Sequence, residues 1–440
     1  MVWKCDFLPK YDSNSPQETV CGSKRQAGEA TVSHPPKAQM PETLDWLRRA
    51  PCDARRTLLA ASLGWALDSF DVSLFTLVLP TLIRDFHLTK ASAGLLGSLT
   101  LISAAFGGIF FGLIADRFGR TRALIGSIFL YAVFTAACGF AWSWNSLAVF
   151  RICVGFGMGG EWASGASLVS ETWPTVSRDK ALALMQSAFA PGYALAALVS
   201  FIVLPRLGWR GVFFAGILPA LLTFWIRQHV REPRAWLAGR NKGEPQIGLV
   251  ALFRVPFMRA TVALTLMNAC CLFAWWGFNQ WVPTYLSLPV AGGGRAFSAA
   301  TMTLVIVVMQ VGMWLGYVSF GYLATAFGRR RVYVSFLVAA AALLVIFAAA
   351  RSPRTLLVLG TCLAFCATGY FSGFASVTAD TYPSHIRSTG QGFTYNLGRL
   401  ASAAAPFTVG ALAQTHGFAT AFHLAAAFFI LAAILWLFIP

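Results

Sequence analysis

Twelve apolar runs, each near the length that crosses a bilayer, follow one another between residues 57 and 439. They fall at about 57–82, 92–115, 123–142, 146–170, 181–204 and 209–227. After a polar stretch from Arg227 to Arg259 they resume at about 260–286, 299–324, 332–350, 355–379, 391–413 and 418–439. The hydrocarbon core of a membrane is about 30 Å thick, and roughly 20 apolar residues in a helix span it. A segment in lipid must also satisfy its own backbone hydrogen bonds, which runs of this length do as helices. The sequence therefore predicts an all-α membrane protein with twelve transmembrane helices in two six-helix bundles. Charged residues make up only 12% of the chain, about half the share usual in soluble domains.

The net charge of +17 raises the question of nucleic acid, but the basic residues sit between the apolar runs, not on one face. With alternate gaps assigned to opposite sides, 25 Lys and Arg fall with the N-terminal tail, 7 on the other side and two inside spans. The positive-inside rule then places both termini in the cytoplasm of a multi-pass protein of the plasma (inner) membrane, with lipid and not nucleic acid as its surroundings. Residues 1–50 are rich in Pro, Ser, Gln and charge, which predicts a disordered cytoplasmic tail, and Met40 is an alternative biological start. Four regions follow: the tail at 1–50, an N-terminal bundle at 51–227, a cytoplasmic linker at 228–258 and a C-terminal bundle at 259–440. The nine cysteines lie mostly in apolar runs without zinc spacing and read as free thiols. No nucleophile, base and acid converge, so the sequence points to neither enzyme, metal nor cofactor. Nothing requires more than a monomer.

The halves repeat. GLIADRFGRTR at 112–122 aligns with GYLATAFGRRR at 321–331, an offset of 209, and Glu171, Pro174 and Arg178 align with Asp380, Pro383 and Arg387 at the same offset. Two separate motifs at one offset imply a duplicated six-span unit, with a site between the halves near mid-membrane.

GLIADRFGR resembles the signature loop of the major facilitator superfamily, and Arg151, Gly155 and Gly157 resemble its span-4 motif. GWALDSFD, GMGGEWASG, ETWPTVSRDKAL, VPTYL and GQGFTYNLGR are most similar to the sialate/lactate:proton symporters. The aromatic acid:proton symporters also carry paired aspartates in span 1. The resemblance covers about residues 57–440 and implies transport by alternating access. It also implies that Asp116, with Arg117 and Arg120 beside it, latches the cytoplasmic side. Glu171 with Arg178, and Asp380 with Arg387, would add breakable ion pairs there. Thr325 replaces the acid in the second copy, so that latch is one-sided. Fungal lactate permeases carry a His–Gln–Asp pattern in span 7 where this chain has WWGFNQWVPT, which counts against lactate itself.

Asp68 and Asp71 share one helical face near the middle of the first run. A carboxylate at that depth costs roughly 2.5–3.5 kcal/mol on insertion scales, so packing alone does not explain two of them. Span direction puts Glu161 at similar depth and Arg151 nearer the outside, with Asn396 and Arg399 in the second half close to mid-depth. The gating set thus includes Arg151. Arg399 can grip a carboxylate with two parallel hydrogen bonds and does not lose its charge. Asp68, Asp71 or Glu161 takes the coupling proton. Fixed structural ion pairing of the same groups is the competing reading.

Trp275, Trp276, Asn279 and Gln280 in span 7 either wall the cavity or, for the tryptophans, sit in the interfacial belt. Gln186, Tyr193 and Tyr370 are further lining candidates. The Gly-rich stretch 155–165 lies in an apolar run and serves close helix packing, not nucleotide binding. The function expected is proton-coupled symport of a small organic acid, a monocarboxylate such as sialate, a lactate-like acid or another hydroxy acid. An aromatic-acid or sugar symporter is the alternative. A drug exporter fits less well, because span 5 reads FAPGYALAA.

Overall fold

The computed structural model describes residues 45–174, 177–230, 232, 252–255, 257–382 and 384–439. The tail through residue 44, Met40 with it, and most of the 228–258 linker lie outside the described residues. So do the side chains of Asp116, Asp380 and Arg387, whose backbone is helical.

The first half contains α1 (Cys52–Asp85), α2 (Lys90–Phe118), α3 (Arg120–Cys138), α4 (Trp144–Thr172), α5 (Arg178–Ser187), α6 (Phe189–Ala215) and α7 (Leu218–His229). The second begins with α8 (Phe257–Asn279), α9 (Val282–Ser287), α10 (Ala299–Phe327) and α11 (Arg329–Ala349). It continues through α12 (Pro353–Gly369), α13 (Phe371–Thr381), α14 (Ser384–Ser402), α15 (Ala405–Thr415) and α16 (Gly417–Leu435). No strand occurs among the described residues. Within Lys180–His229, Gly208 is non-helical (φ 65°, ψ −173°). Both ends of this segment return to the Gly119 turn: Arg120 pairs with Glu171, close before α5, and Glu232, just after α7, reaches Thr121. The segment therefore crosses twice, and with α4 and the α14–α15 pair the described residues make twelve spans.

The duplicated backbone is visible at equivalent turns. Gly119 (φ 117°) joins α2 to α3, and Gly328 (φ 88°) joins α10 to α11, 209 residues on. Glycine adopts such dihedrals without the clash a Cβ brings. On the opposite face Thr89 and Ser298 cap α2 and α10, again 209 apart. Each hydroxyl accepts from a backbone N–H that a helix start leaves unpaired. Helices α2 and α4 touch backbone to backbone, since a Cβ on Gly107, Gly155 or Gly159 would strike the carbonyl of Phe156, Thr100 or Ala104. The stretch read as a packing surface is one.

Five spans are broken where the sequence predicts continuous runs: at Ala188, Gly216–Ile217, Gln280–Trp281, Tyr370 and Ala403–Ala404. Prolines follow four of the breaks, at 191, 219, 283 and 406. A proline supplies no N–H and crowds the carbonyl four residues before it. The interrupted spans 7 and 11 meet, with Trp281 Nε1 donating to Pro406 O at 3.0 Å.

The halves are joined on the face away from the Gly119 and Gly328 turns. Lys90 Nζ donates to Gly292 O at 2.9 Å and Ala413 O at 3.2 Å, and lies 4.8 Å from the centre of the Phe418 ring. Phe407 N donates to Ser98 Oγ at 3.2 Å.

Candidate functional site

Helix α1 is buried along most of its length, so its polar residues face protein. Ser69 Oγ donates to Phe189 O at 2.7 Å, beside the break between α5 and α6. Asp68 and Asp71 find no such partner: Asp68 Oδ1 and both Asp71 oxygens are buried without a hydrogen bond. Both Glu161 oxygens on α4 are in the same condition. Its Oε1 lies 2.6 Å from where a Cβ on Gly64 would sit, so Gly64 is the gap in α1 that admits this carboxyl, one turn from Asp68. Buried polar atoms without partners are rare in folded proteins, and each calls for an explanation such as a ligand, a proton or water.

Two buried arginines answer the three acids. Arg399 on α14 is 2% exposed, with its Nε unpartnered and its guanidinium 5.9 Å from the centre of the Tyr395 ring. Asp68 and Glu161 lie within its electrostatic reach. Arg151 on α4 is 1% exposed and lies over Phe75, 4.2 Å from the ring centre, with Nε and Nη1 unpartnered. Asp71 is the acid within its reach. No contact of ion-pair length joins any of these acids to either arginine among the described residues. The sequence reading set three acids against Arg399 alone and placed Arg151 with the gate. The structure divides the acids between the two cations. Ten residues of α4 separate Arg151 from Glu161, about 15 Å of rise, which sets Arg151 level with Phe75, not Gly64.

A small space of about 10 Å³ lies where the halves meet, lined by Thr76, Thr100, Arg151 and Met158 from the first half and Trp276 and Gln280 from the second. That is room for about one water. Trp275, Trp276, Asn279 and Gln280 are all buried, so the tryptophans do not sit in an interfacial belt. Trp276 and Gln280 line the space, whereas Trp275 packs on Phe371 with ring centres 6.4 Å apart. Asn396 Nδ2 donates to Gly392 O at 3.0 Å, and its Oδ1 rests against Gly108 of the other half. Tyr193 is buried beside Thr76, and Gln186 is half-buried on α5. Tyr370 serves packing: its hydroxyl donates to Cys271 O at 3.4 Å and its ring lies 5.6 Å from Tyr333.

Tyr131 escapes a sequence reading. It is fully buried on α3 with its hydroxyl unpartnered, and Asp68, Asp71 and Glu161 all lie within its electrostatic reach. The signal available was one tyrosine in an otherwise apolar run. Glu232 escapes it too. Its carboxylate accepts from the backbone N–H of Thr121 at 3.1 Å and of Arg122 at 3.3 Å, at the N-terminus of α3, where the helix dipole favours an anion. Among the expected gating residues, Arg120 Nε donates to Glu171 Oε1 at 3.2 Å. Arg117 lies exposed over Phe118 at 5.5 Å, and Arg178 is half-buried on the same face.

Two joined bundles, with unpaired charges buried at their seam, define a membrane transporter. Residues 61–319 and 286–440 match the family model of the Major Facilitator Superfamily, and the chain belongs to that superfamily. It is 33% identical over 382 residues to the probable 4-methylmuconolactone transporter of Cupriavidus pinatubonensis, covering 86% of this chain and 88% of that one. It is 29% identical over 366 residues to the sialic acid transporter NanX of Escherichia coli, covering 82% and 88%. Its fold is similar to the partially occluded inward-open xylose transporter XylE from E. coli, with a TM-score of 0.71 at 18% identity over 89% of this chain and 98% of that chain. The chain is a multi-pass membrane transporter and not an enzyme.

Proposed function

We propose that this protein carries a small organic acid together with protons, by alternating access of a site held between the two halves. The observation that carries the reading is the set of buried, unpartnered carboxyl oxygens on Asp68 and Glu161 within reach of the buried Arg399 across the seam, with those of Asp71 beside Arg151. Low dielectric favours the neutral form of a buried carboxyl, and a neighbouring cation favours the charged form. A group held between these influences takes a proton at one face and releases it at the other. The substrate carboxylate docks on Arg399, and one proton on the Asp68–Glu161 pair leaves that load neutral, which lowers the cost of moving it through a low-dielectric protein.

The substrates named for the two relatives, a muconolactone and a sialic acid, are chemically different but share a carboxylate, which supports an anion anchor. Trp276 against the central space favours a flat, apolar or ring-shaped body, so an aromatic acid remains the second reading. The basic loops support an orientation with both termini in the cytoplasm of the inner membrane. The Lys90 contacts then close the outer face, and Arg120, Glu171 and Glu232 belong to the inner gate. The protein works as a monomer.

The test is uptake of labelled organic acids into proteoliposomes with and without an acid exterior. Accumulation of at least one acid, driven several-fold by the gradient, is the expected result. Accumulation indifferent to the gradient overturns proton coupling, and accumulation of neutral sugars alone overturns the anion site.

A further inference from the structure

The proposed anion anchor at Arg399 leaves Arg151 without a task. Its guanidinium carbon lies 4.2 Å from the centre of the Phe75 ring, and Nε and Nη1 have no partner. Gln280 lines the same space from the other half, 3% exposed, and its Nε2 is also unpartnered. Gln280 is seated against Gly97, where a Cβ would collide with its amide, so its position is fixed by packing. Donors from both halves thus converge on one space, and no acceptor lies within hydrogen-bond distance of Arg151 Nε, Arg151 Nη1 or Gln280 Nε2. Thr76 and Thr100 beside them already spend their hydroxyl hydrogens on Ser73 O and Leu96 O, at 2.9 Å each. A guanidinium and a side-chain amide that both lack acceptors fit a ligand group with oxygens and no hydrogen to give. Because the walls belong to different halves, the space widens when the halves part.

We infer that this space is a second anion subsite and that the substrate is a dicarboxylic acid, one carboxylate held at Arg399 and the other between Arg151 and Gln280. The inference rests on the Arg399 reading and narrows it. Asp71 lies within electrostatic reach of Arg151 and competes with the second carboxylate. The diacid is therefore bound with Asp71 protonated. That second proton balances the second carboxylate, and the load stays neutral.

The test measures competition by matched pairs of saturated acids of four to eight carbons, diacid against monoacid, for the best labelled acid. It uses the full-length protein in proteoliposomes, with ligand-induced thermal stabilisation of the purified protein as a second readout. In the wild-type protein at least one diacid competes about tenfold better than the monoacid of equal length, a gap of about 1.4 kcal/mol. Gln280→Leu and Arg151→Lys each bring that ratio close to one in both readouts. A series in which no diacid outperforms its monoacid overturns the second subsite, as does a preference that survives both substitutions. Arg399→Lys separates the two readings: indifference of both acid classes to it sinks the anion anchor itself. Loss of both classes in Arg399→Lys, with no diacid preference in the wild type, removes only the second subsite.

Discussion

The two halves share a backbone and differ in chemistry. The turn glycines 119 and 328 and the capping hydroxyls of Thr89 and Ser298 recur at the offset of 209. The ionisable groups at the seam do not. Where the first half has Asp71 and Glu161, the second has Gln280 and Tyr370, and where the first has Asp68 the second has Gly277. Tyr370 turns its ring into an aromatic cluster with Tyr333 and Phe429, while Glu161 keeps both oxygens unpartnered at the seam. Positions that set the fold tolerate only glycine or a capping hydroxyl and so persist through duplication. Positions at the seam carry no such backbone demand, so the first half has come to hold the buried acids and Arg151, while the second holds Arg399 and Trp276.

The sharpest way to break this division is to remove the cation. Arg399→Ala leaves Asp68 and Glu161 facing an apolar gap, and uptake of any acid substrate is expected to fall at least about a hundredfold in vesicles, the scale of losing a charged, two-pronged contact of roughly 3 kcal/mol. Uptake within twofold of wild type would show that the second half does not hold the anion. Asp68→Asn acts on the other partner. Gradient-driven accumulation is expected to fall about tenfold, while exchange of labelled for unlabelled acid persists, because exchange needs the site to reorient loaded but not to release its proton. A parallel loss of both activities would move Asp68 from coupling to binding. Tyr131→Phe removes only a hydroxyl set among the three acids, and a shift of a few-fold in the external pH dependence of uptake is expected. An unchanged profile would return Tyr131 to packing.

The fold was legible because its determinants are local and repeated: run length, basic loops, and two motifs at one offset. The buried acids were legible for a related reason, since a charge in a long apolar run stands out against its neighbours. The allotment of those acids to two arginines was not. It depends on how far α4 rises between Arg151 and Glu161 and on the gap at Gly64, which only the packed helices reveal. The break at Tyr370 was hidden as well, because no proline follows it closely. Glu232 was hidden because its role depends on a contact more than 100 residues away in sequence, at the N-terminus of α3.

The smallest expected effect compares the two signature turns. Gly119 and Gly328 both hold positive φ with extended ψ, 150° and 133°, where a side chain costs about 1–3 kcal/mol. They differ in surroundings. A Cβ on Gly119 would meet the Glu232 carboxylate that caps α3, whereas one on Gly328 meets nothing within 4 Å. Gly119→Ala therefore adds loss of the cap, about 1 kcal/mol, to the strain both variants share. The purified protein should unfold at a lower temperature with Gly119→Ala than with Gly328→Ala. Glu232→Ala should remove most of that difference, because the added Cβ then has no carboxylate to displace. Equal destabilisation by the two glycine substitutions in the presence of Glu232 would mean that the cap contributes nothing, and that the two signature turns are alike in energy as well as in backbone.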